Sequence, residues 1–349
     1  MAEPIVHGGN LHEAARRYGI GYAQWLDLST GINPHGYPVP PVPADAWRRL
    51  PDEGDDFAAR AARYYGAPDA RHVLPVAGSQ AAIRALPQLM PRATVAVAPL
   101  TYAEYAPAFA RAGHRIVPLD SACDALPGEV THAVIVNPNN PTADHVSAAK
   151  LLQWHAQLTA RGGTLLVDEA FADAMPSESL AALVAGRPGL VVLRSPGKFF
   201  GLAGVRAGFV LGDPLLLDRL RDVLGAWTVS GPARHAVSAA FEDSAWQGEM
   251  RAQLIAASTR LTGLLRARGF TPRSTPLFAW TDDERAASLH HELALRGVWT
   301  RLFAVPASGR SVRFGLPGAE PEWLRFEQAL SESVSALEAV RASESSATR

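Results

Sequence analysis

The stretch "SPGKFFGLAGVRAGF" (residues 195–209) places a lysine, Lys198, among small and apolar residues that otherwise have the composition of a buried segment. Lysine is rare in this chain: of the 33 basic residues only Lys150 and Lys198 are lysines, and the others are arginines. A lysine in an apolar pocket can lose its proton or form an imine, whereas an arginine keeps its charge. The position of Lys198 therefore indicates chemistry.

The composition of the whole chain is that of an ordinary globular enzyme. Its 349 residues, 48% apolar and 19% charged, are enough for about two domains. A net charge of −1 gives no general attraction to nucleic acid or to an anionic membrane. The N-terminus has no secretory-signal pattern, no apolar run approaches the roughly 20 residues that cross a bilayer, and Cys123 is the only cysteine. We expect a cytoplasmic enzyme without nucleic-acid or membrane partners and without a cysteine-based zinc site.

Short apolar runs alternate with helical stretches between about residues 70 and 212. The predicted strands are 94–99, 115–119, 132–137, 164–171, 190–196 and 207–212, and the predicted helices between them are 79–89, 102–113 and 147–162. Strands separated by helices favour an α/β fold with a mostly parallel central sheet and helices on both faces. In such sheets ligands bind beyond the carboxyl ends of the strands.

The chain is predicted to have four parts. Residues 1–40 form an irregular, proline-rich N-terminal arm, and residues 41–232 form the large domain. Residues 233–341 contain a long helical stretch, 233–268, that leads into a smaller C-terminal α+β domain. The polar tail 342–349 is expected to fray.

Polar residues that could carry chemistry stand at the ends of the predicted strands. Gly78, Ser79 and Gln80 follow "VLPVA" and open a helix, where free amide groups and the helix dipole suit a phosphate group. A plain helix cap is the alternative for these three residues. Asn140 lies in "NPNNPTA" (137–143), which directly follows a strand and could otherwise be a simple turn.

Charged residues complete this set. Asp168 ends a buried strand, where a carboxylate is costly without a partner, and no metal-binding set of residues accompanies it, so we expect no metal. Ser195 stands three residues before Lys198, and Arg206 offers paired donors for a phosphate. Arg313 also lies within a predicted strand, and for it a structural ion pair is an equally good interpretation.

Together these residues are the parts that pyridoxal phosphate needs. Lys198 would hold the aldehyde as an imine, and Asp168 would keep the ring nitrogen protonated. Asn140 would hydrogen-bond the phenolic oxygen of the cofactor. Tyr102, which opens a helix after "APLT", would stack on the face of the ring, although a packing role is the alternative.

Residues 5–340 resemble the fold-type-I pyridoxal-phosphate enzymes, the aspartate aminotransferase superfamily. The motifs "NPNNPT", "VDEAF" and "SPGKFFGLAGVRAGF" carry the resemblance. It implies that Ser79, Gln80, Ser195 and Arg206 hold the cofactor phosphate and that Arg313 binds the α-carboxylate of the substrate. It also implies a homodimer with active sites at the subunit interface.

The N-terminus resembles a narrower family within this superfamily, the L-threonine-O-3-phosphate decarboxylases of cobalamin biosynthesis. The resemblance rests on "HGGNLHEAARRYG" (7–19) and "LDLSTGINPHG" (26–36). It implies a carboxy-lyase that converts L-threonine O-3-phosphate into (R)-1-amino-2-propanol O-phosphate and carbon dioxide. It further implies that His7, Gly8, Gly9 and Asn33 contact the phosphorylated substrate, together with Asn140.

Three positions depart from related patterns, and one of them, Phe171, favours the decarboxylase over an aminotransferase. Phe171 replaces a usual tyrosine that bonds the phenolic oxygen, Ala143 replaces a usual glycine, and Leu50 replaces a tyrosine that often crosses the dimer. A histidinol-phosphate-like aminotransferase is the first alternative, because the orientation of the substrate carboxylate decides which reaction follows. A non-catalytic member that binds the cofactor is the second. Serine phosphate is not excluded as a substrate, since one methyl group discriminates by only about 1–3 kcal/mol.

Overall fold

The computed structural model describes residues 7–305 and 309–347. Its strands are β1 Leu26–Asp27, β2 Val73–Val76, β3 Thr94–Val97, β4 Arg115–Pro118, β5 Val130–Val136, β6 Thr164–Asp168, β7 Leu190–Arg194, β8 Gly208–Leu211, β9 Arg273–Thr275, β10 Phe278–Asp282, β11 Val298–Trp299, β12 Arg301–Val305 and β13 Gly309–Gly315. Its α-helices are α1 Leu11–Tyr18, α2 Ala44–Arg48, α3 Phe57–Tyr65, α4 Ser79–Leu89, α5 Tyr105–Arg111, α6 Ala148–Thr159, α7 Pro196–Phe199, α8 Pro214–Leu224, α9 Gly231–Glu242, α10 Ser244–Ala267, α11 Ala286–Leu295 and α12 Glu320–Ala347.

These elements form two compact units, each with its own sheet. The large unit comprises residues 36–140 and 144–251, and the small unit comprises the remaining described residues. The N-terminal arm therefore belongs to the same unit as the C-terminal segment, and α9 belongs to the large unit. These boundaries differ from the predicted ones, and the four-part division along the chain stays a prediction.

The large unit is built on a seven-stranded sheet in the order β2-β8-β7-β6-β5-β3-β4. Only β8 runs antiparallel to its neighbours, because β2–β8 and β7–β8 are the antiparallel pairs among the described strands. The buried strands β5 and β7 consist mainly of valine, leucine, isoleucine and alanine, as expected for a parallel sheet covered on both faces. The predicted mostly parallel α/β sheet and its six strands are confirmed.

The seventh strand, β2, was not among the predicted strands. It contains Pro75, which cannot donate a ladder hydrogen bond and usually argues against a strand. The structure accommodates this proline because β2 lies at the edge of the sheet, paired only with β8.

The small unit contains a four-stranded antiparallel sheet in the order β12-β13-β10-β9 and the parallel pair β1–β11. The prediction that residues 1–40 are irregular is wrong for part of this range. Asn10 accepts a hydrogen bond from the Glu13 amide and begins α1, which ends at Gly19 in the left-handed conformation. The strand β1 forms because β11, far away in sequence, supplies its partner.

Two further expectations for helices need correction. The stretch 233–268 is two helices, because the chain leaves the helical conformation at Asp243, whose carboxylate accepts the Trp246 amide at 2.9 Å. The tail was expected to fray from residue 342, but α12 continues to Ala347, and residues 348–349 lie outside the described residues. Among the described helices none combines the length and apolar character that spanning a membrane requires.

Candidate active site

A cleft lies in the large unit at the carboxyl ends of the parallel strands. It encloses about 690 Å³ of space, open solvent at its mouth included. The predicted cofactor-binding residues all line it: Gly78, Ser79, Gln80, Tyr102, Asn140, Asp168, Ser195, Lys198 and Arg206. Residues from five separate segments of sequence thus meet in one place.

One end of the cleft is suited to an anion. Helix α4 begins at Ser79, and within the described chain no side chain caps its N-terminus. The hydroxyl of Ser195 donates to that of Ser79 at 3.0 Å. The guanidinium of Arg206 lies against Gly78, where an added Cβ would be 2.6 Å from its Nη2 atom. A helix N-terminus, two hydroxyls and a guanidinium therefore converge, as a phosphate group requires.

Gly208 belongs to this end of the cleft and was missed from the sequence. A Cβ on Gly208 would lie 2.5 Å from the amide nitrogen of Ser79, so only glycine allows the start of β8 to approach the start of α4 this closely. A glycine at the second position of the predicted strand 207–212 was the available signal.

Asp168 ends β6 at the floor of the cleft and is buried. Its Oδ1 accepts the Ala170 amide at 3.0 Å, and its Oδ2 accepts the hydroxyl of Tyr105 at 2.6 Å. Burial raises the pKa of Asp168, while these two hydrogen bonds and the charge of Lys198 oppose the rise. The carboxylate is thus well placed to pair with a protonated nitrogen of a ligand.

Lys198 lies on the short helix α7, which follows β7 directly after Ser195. The neighbouring Phe199 and Phe200 are fully buried and anchor the segment, whereas Lys198 is half-buried and lines the cleft. Its Nζ atom is 5.8 Å from the centre of the Phe171 ring. The apolar residues around the lysine therefore hold the backbone, and the lysine itself faces the cleft.

Tyr102 is half-buried and contacts Gln80 and Tyr105. Its hydroxyl donates to Oε1 of Gln80 at 3.1 Å, and its ring meets that of Tyr105 edge-on at 6.1 Å. Burial, and then the charge of Asp168, raises the pKa of Tyr102 to about 12, so its phenol is neutral at physiological pH. The Gln80 side chain thus holds Tyr102, and its predicted contact with the cofactor phosphate stays a prediction.

The three asparagines of the "NPNN" loop have different surroundings. The side chain of Asn137 bonds both backbone groups of Val146, at 2.9 and 3.0 Å. Asn139 donates to the carbonyl of Leu100 at 2.9 Å and braces the loop from the other side. Asn140 lines the cleft, where its amide can serve a ligand.

Behind the cleft lies a buried ion network that the sequence did not reveal. Nη1 of Arg194 donates to Glu169 at 2.6 Å, Nη2 bonds Asp173, and the guanidinium lies 4.5 Å from the centre of the Tyr65 ring. Burial opposes the charged form of Arg194, but the charges of Asp173 and Glu169 outweigh it and raise the pKa of Arg194. Because Arg194 precedes Ser195 and Glu169 follows Asp168, this network joins the ends of β7 and β6.

Arg313 of the small unit has a different environment. It is buried in β13, its Nη2 donates to the Ser29 carbonyl at 2.7 Å, and its guanidinium lies between 5 and 6 Å from the ring centres of Phe278 and Phe303. Burial, and then the charge of Arg301, lowers the pKa of Arg313 to about 9. The charge of Asp27 opposes this lowering in part, so the structural and the substrate-binding interpretations of Arg313 both stay open.

Two N-terminal glycines contact Ser29, the residue whose carbonyl accepts from Arg313. Gly8 lies against the Ser29 carbonyl, and the Gly9 amide donates to the Ser29 hydroxyl at 2.7 Å. The His7 carbonyl accepts from Arg301 at 3.2 Å. The small unit thus brings its predicted substrate residues together around Ser29 and Arg301, neither of which was predicted.

Asn33 is the exception among the predicted substrate residues. It is buried, and its Oδ1 accepts the backbone amide of His35 at 2.9 Å. The side chain therefore serves the local backbone turn. Among the described residues, no cluster of three or more His, Cys, Asp or Glu side chains could hold a metal ion.

Comparison with known proteins agrees with this geometry. The sequence profile of the family described as aminotransferase class I and II matches residues 50–334. The chain is 50% identical over 328 residues to threonine-phosphate decarboxylase of Pseudomonas aeruginosa, which covers 93% of this chain and 97% of that protein.

Two solved structures share the fold. The histidinol-phosphate aminotransferase of Sinorhizobium meliloti in complex with pyridoxal-5'-phosphate has a TM-score of 0.79 at 20% identity and covers 96% of each chain. The L-threonine-O-3-phosphate decarboxylase of Porphyromonas gingivalis has a TM-score of 0.73 at 18% identity and covers 87% of this chain and 98% of that one. At these identities the likeness concerns the fold alone.

Proposed function

The chain belongs to the aminotransferase class I and II family, whose fold-type-I members depend on pyridoxal phosphate, and we propose that it decarboxylates L-threonine O-3-phosphate. The product would be (R)-1-amino-2-propanol O-phosphate, a precursor in cobalamin biosynthesis. The observation that carries the proposal is 50% identity to a threonine-phosphate decarboxylase over nearly the whole chain. The cleft of the large unit supplies the residues that the chemistry needs.

The cleft fits pyridoxal phosphate on its own geometry. Ser79, Ser195 and Arg206 would hold the phosphate, and Gly78 leaves room for the guanidinium beside it. Lys198 would hold the aldehyde carbon. When bound, the group supplies an electron-withdrawing ring that stabilises the negative charge left at Cα as carbon dioxide departs.

The remaining residues of the cleft would orient the ring. The buried carboxylate of Asp168 would bind the protonated ring nitrogen, and Asn140 would bond the phenolic oxygen. Tyr102, held by Gln80, would cover one face of the ring. Phe171 is buried and apolar where a tyrosine could bond the same oxygen, which leaves that task to Asn140.

Lys198 would also move the proton that completes the reaction. Breaking the bond between Cα and the carboxylate leaves an electron pair at Cα, which must then accept a proton. The amine of Lys198, half-buried and exposed to the cleft, would deliver that proton.

For the substrate, we propose that Arg313 binds the α-carboxylate and that His7, Gly8, Gly9 and Asn33 contact the phosphate end. The support for Arg313 is chemical: burial disfavours its charged form, so an anion bound there would offset that cost. The arm is supported by its contacts with Ser29 and Arg301. For Asn33 the resemblance is the only support, since its side chain serves the backbone.

We further propose a homodimer that works in the cytoplasm, where a phosphorylated amino acid is made and used. The support is the resemblance to fold-type-I enzymes, which implies active sites at a subunit interface, and the large unit also exposes the apolar side chains Trp47, Leu50 and Trp227. Because Leu50 stands where related proteins often have a tyrosine that crosses the dimer, the residues at this subunit contact would differ from theirs.

The experiment that tests the function gives the purified enzyme, loaded with pyridoxal phosphate, L-threonine O-3-phosphate and no keto acid. We expect aminopropanol phosphate by mass spectrometry, and no product from Lys198→Ala. Serine phosphate in a parallel reaction measures how far the methyl group matters. An aminotransferase would form no aminopropanol phosphate and would need histidinol phosphate with 2-oxoglutarate, and a binding protein would do neither.

A further inference from the structure

The hydroxyl of Tyr105 makes a direct contact with the carboxylate proposed to bind the ring nitrogen of the cofactor. Tyr105 is the first residue of α5 and is fully buried. Its hydroxyl donates to Oδ2 of Asp168 at 2.6 Å, the short distance typical of a hydrogen bond to an ionised acceptor. Nothing in the proposed chemistry so far uses this residue.

The environment of Asp168 explains why such a donor matters. The carboxylate is buried at the end of β6, and burial favours its neutral, protonated form. Two hydrogen bonds oppose that preference, one to each oxygen: the Ala170 amide on Oδ1 and the Tyr105 hydroxyl on Oδ2. The charge of Lys198 acts in the same direction. Of the two hydrogen bonds, only the one from Tyr105 comes from a side chain.

Tyr105 is also fixed as a donor. Its burial, and then the charge of Asp168, raises the pKa of Tyr105 well above its usual range. The phenol therefore keeps its proton across the physiological range and donates without giving the proton away. Its ring packs edge-on against Tyr102 at 6.1 Å, so one turn of α5 supports both the carboxylate and the ring-stacking tyrosine.

We propose that Tyr105 is a positioning residue that keeps the shared proton on the ring nitrogen of the cofactor and off Asp168. The proposal rests on the proposed function only in requiring pyridoxal phosphate in the cleft. One proton is shared between the carboxylate and the ring nitrogen. The hydrogen bond from Tyr105 stabilises the ionised carboxylate, which leaves the proton on nitrogen, where it strengthens electron withdrawal. Without that bond the proton moves to Asp168 and the ring becomes neutral.

The test replaces the hydroxyl and reads the proton directly. The holoenzyme is prepared with pyridoxal phosphate labelled with ¹⁵N in the ring, and the ¹⁵N chemical shift reports whether that nitrogen is protonated. In Tyr105→Phe we expect the ratio of the two forms to shift toward neutral nitrogen by about tenfold or more, the size expected for one hydrogen bond to a charged group. Asp168→Asn gives the reference shift of an unprotonated ring.

Tyr37→Phe is the matched control. Tyr37 is a buried tyrosine of the same unit whose hydroxyl donates to the Ala239 carbonyl at 3.2 Å and lies 3.4 Å from the carboxylate of Asp243. We expect it to lose comparable stability and leave the ¹⁵N shift unchanged. An unchanged shift in Tyr105→Phe, with a stability loss equal to that of Tyr37→Phe, would mean that Tyr105 serves packing alone and would overturn the proposal.

Two further measurements keep the test decisive. If Tyr105→Phe does not fold, 3-fluorotyrosine is placed at position 105, because it has nearly the same shape and is a stronger hydrogen-bond donor. The ¹⁵N shift should then move toward that of the protonated nitrogen. A ¹⁵N shift identical to that of the enzyme with tyrosine would overturn the proposal. The test needs no substrate. If the ¹⁵N shift changes in Tyr105→Phe but the wild-type enzyme releases no carbon dioxide from threonine phosphate, the proposed role of Tyr105 holds and the proposed reaction is rejected.

Discussion

Two buried arginines, one in each unit, stand in opposite electrostatic environments. Arg194 ends β7 at 2% exposure and bonds the carboxylates of Glu169 and Asp173. Arg313 lies in β13 at 6% exposure and bonds a backbone carbonyl beside two phenylalanine rings. The pKa of Arg194 is raised by its carboxylates, whereas that of Arg313 is lowered to about 9.

The difference separates two uses of a buried cation. A guanidinium balanced by carboxylates of its own chain holds those carboxylates, and Arg194 thereby joins the strand ends next to Asp168 and Ser195. A guanidinium whose charged form is disfavoured by burial gains from an anion supplied by a ligand. If Arg313 binds the substrate as proposed, the charges around a buried arginine, and not its burial, distinguish these two uses.

The largest effect is expected from Arg194→Met. The substitution leaves Glu169 and Asp173 as buried carboxylates without their cation, which should lower the free energy of unfolding by about 3–5 kcal/mol. Chemical denaturation at a fixed cofactor concentration measures it. Arg219→Met, at an exposed arginine of the same unit, should change stability by less than about 0.5 kcal/mol. Equal losses of stability in the two variants would show that Arg194 has no special structural role.

Arg313→Met should show the opposite pattern. We expect kcat/KM for threonine phosphate to fall about a hundredfold or more, because a charged hydrogen-bond partner of the carboxylate is lost. Stability should change by less than about 1 kcal/mol, since methionine fills similar space without a buried charge. Steady-state kinetics and denaturation of the same preparation test both. Intact turnover with a large loss of stability would make Arg313 a second structural arginine.

A buried histidine extends the comparison to pH. Burial, and then the charges of Arg17, His291 and Arg301, lower the pKa of His290 from 6.5 to about 4. The unfolded chain therefore binds more protons between these values. The stability that the neutral His290 contributes is present above pH 6.5 and is lost as the pH falls toward 4, by about 3 kcal/mol. Denaturation across this range should give a flatter profile in His290→Gln, and the exposed His12→Gln should leave the slope unchanged. If the pH dependence of stability is unchanged in His290→Gln, then groups other than His290 cause it.

The smallest effect is expected where no charge changes. Phe171→Tyr adds a hydroxyl to a buried ring that lines the cleft. We expect kcat/KM for carbon dioxide release to change by less than about tenfold, since Asn140 is already available for the phenolic oxygen. A loss greater than a hundredfold, with transamination gained, would mean that residue 171 chooses the reaction.

The sequence predicted those features that depend on local patterns. Apolar runs and glycine-rich or asparagine-rich segments at their ends were enough for the parallel sheet and for the residues that line the cleft. Strand β2 was missed because the effect of Pro75 depends on whether a strand lies at an edge, and β1 because its partner, β11, is about 270 residues away. The break at Asp243 was missed because apolar periodicity continues across it.

The missed site residues share one cause. The roles of Arg194 and Tyr105 depend on which carboxylate each one meets, and those carboxylates are 21 to 63 residues away in sequence. For Arg313 the sequence left a structural ion pair and a binding site equally open, because its environment comes from β10, β12 and the residues around Ser29. The ionisation of these side chains depends on how distant parts of the chain pack around them, and this packing cannot be predicted from the spacing of residues in the sequence.

The most direct test of the account counts carbon dioxide per bound cofactor. The holoenzyme receives L-threonine O-3-phosphate without a keto acid, while released carbon dioxide and the absorption of the cofactor are followed together. A decarboxylase releases carbon dioxide over many turnovers and keeps its pyridoxal phosphate, which is the predicted result. Conversion of the cofactor to pyridoxamine phosphate in a single turnover, with no carbon dioxide, would contradict the account and establish an aminotransferase.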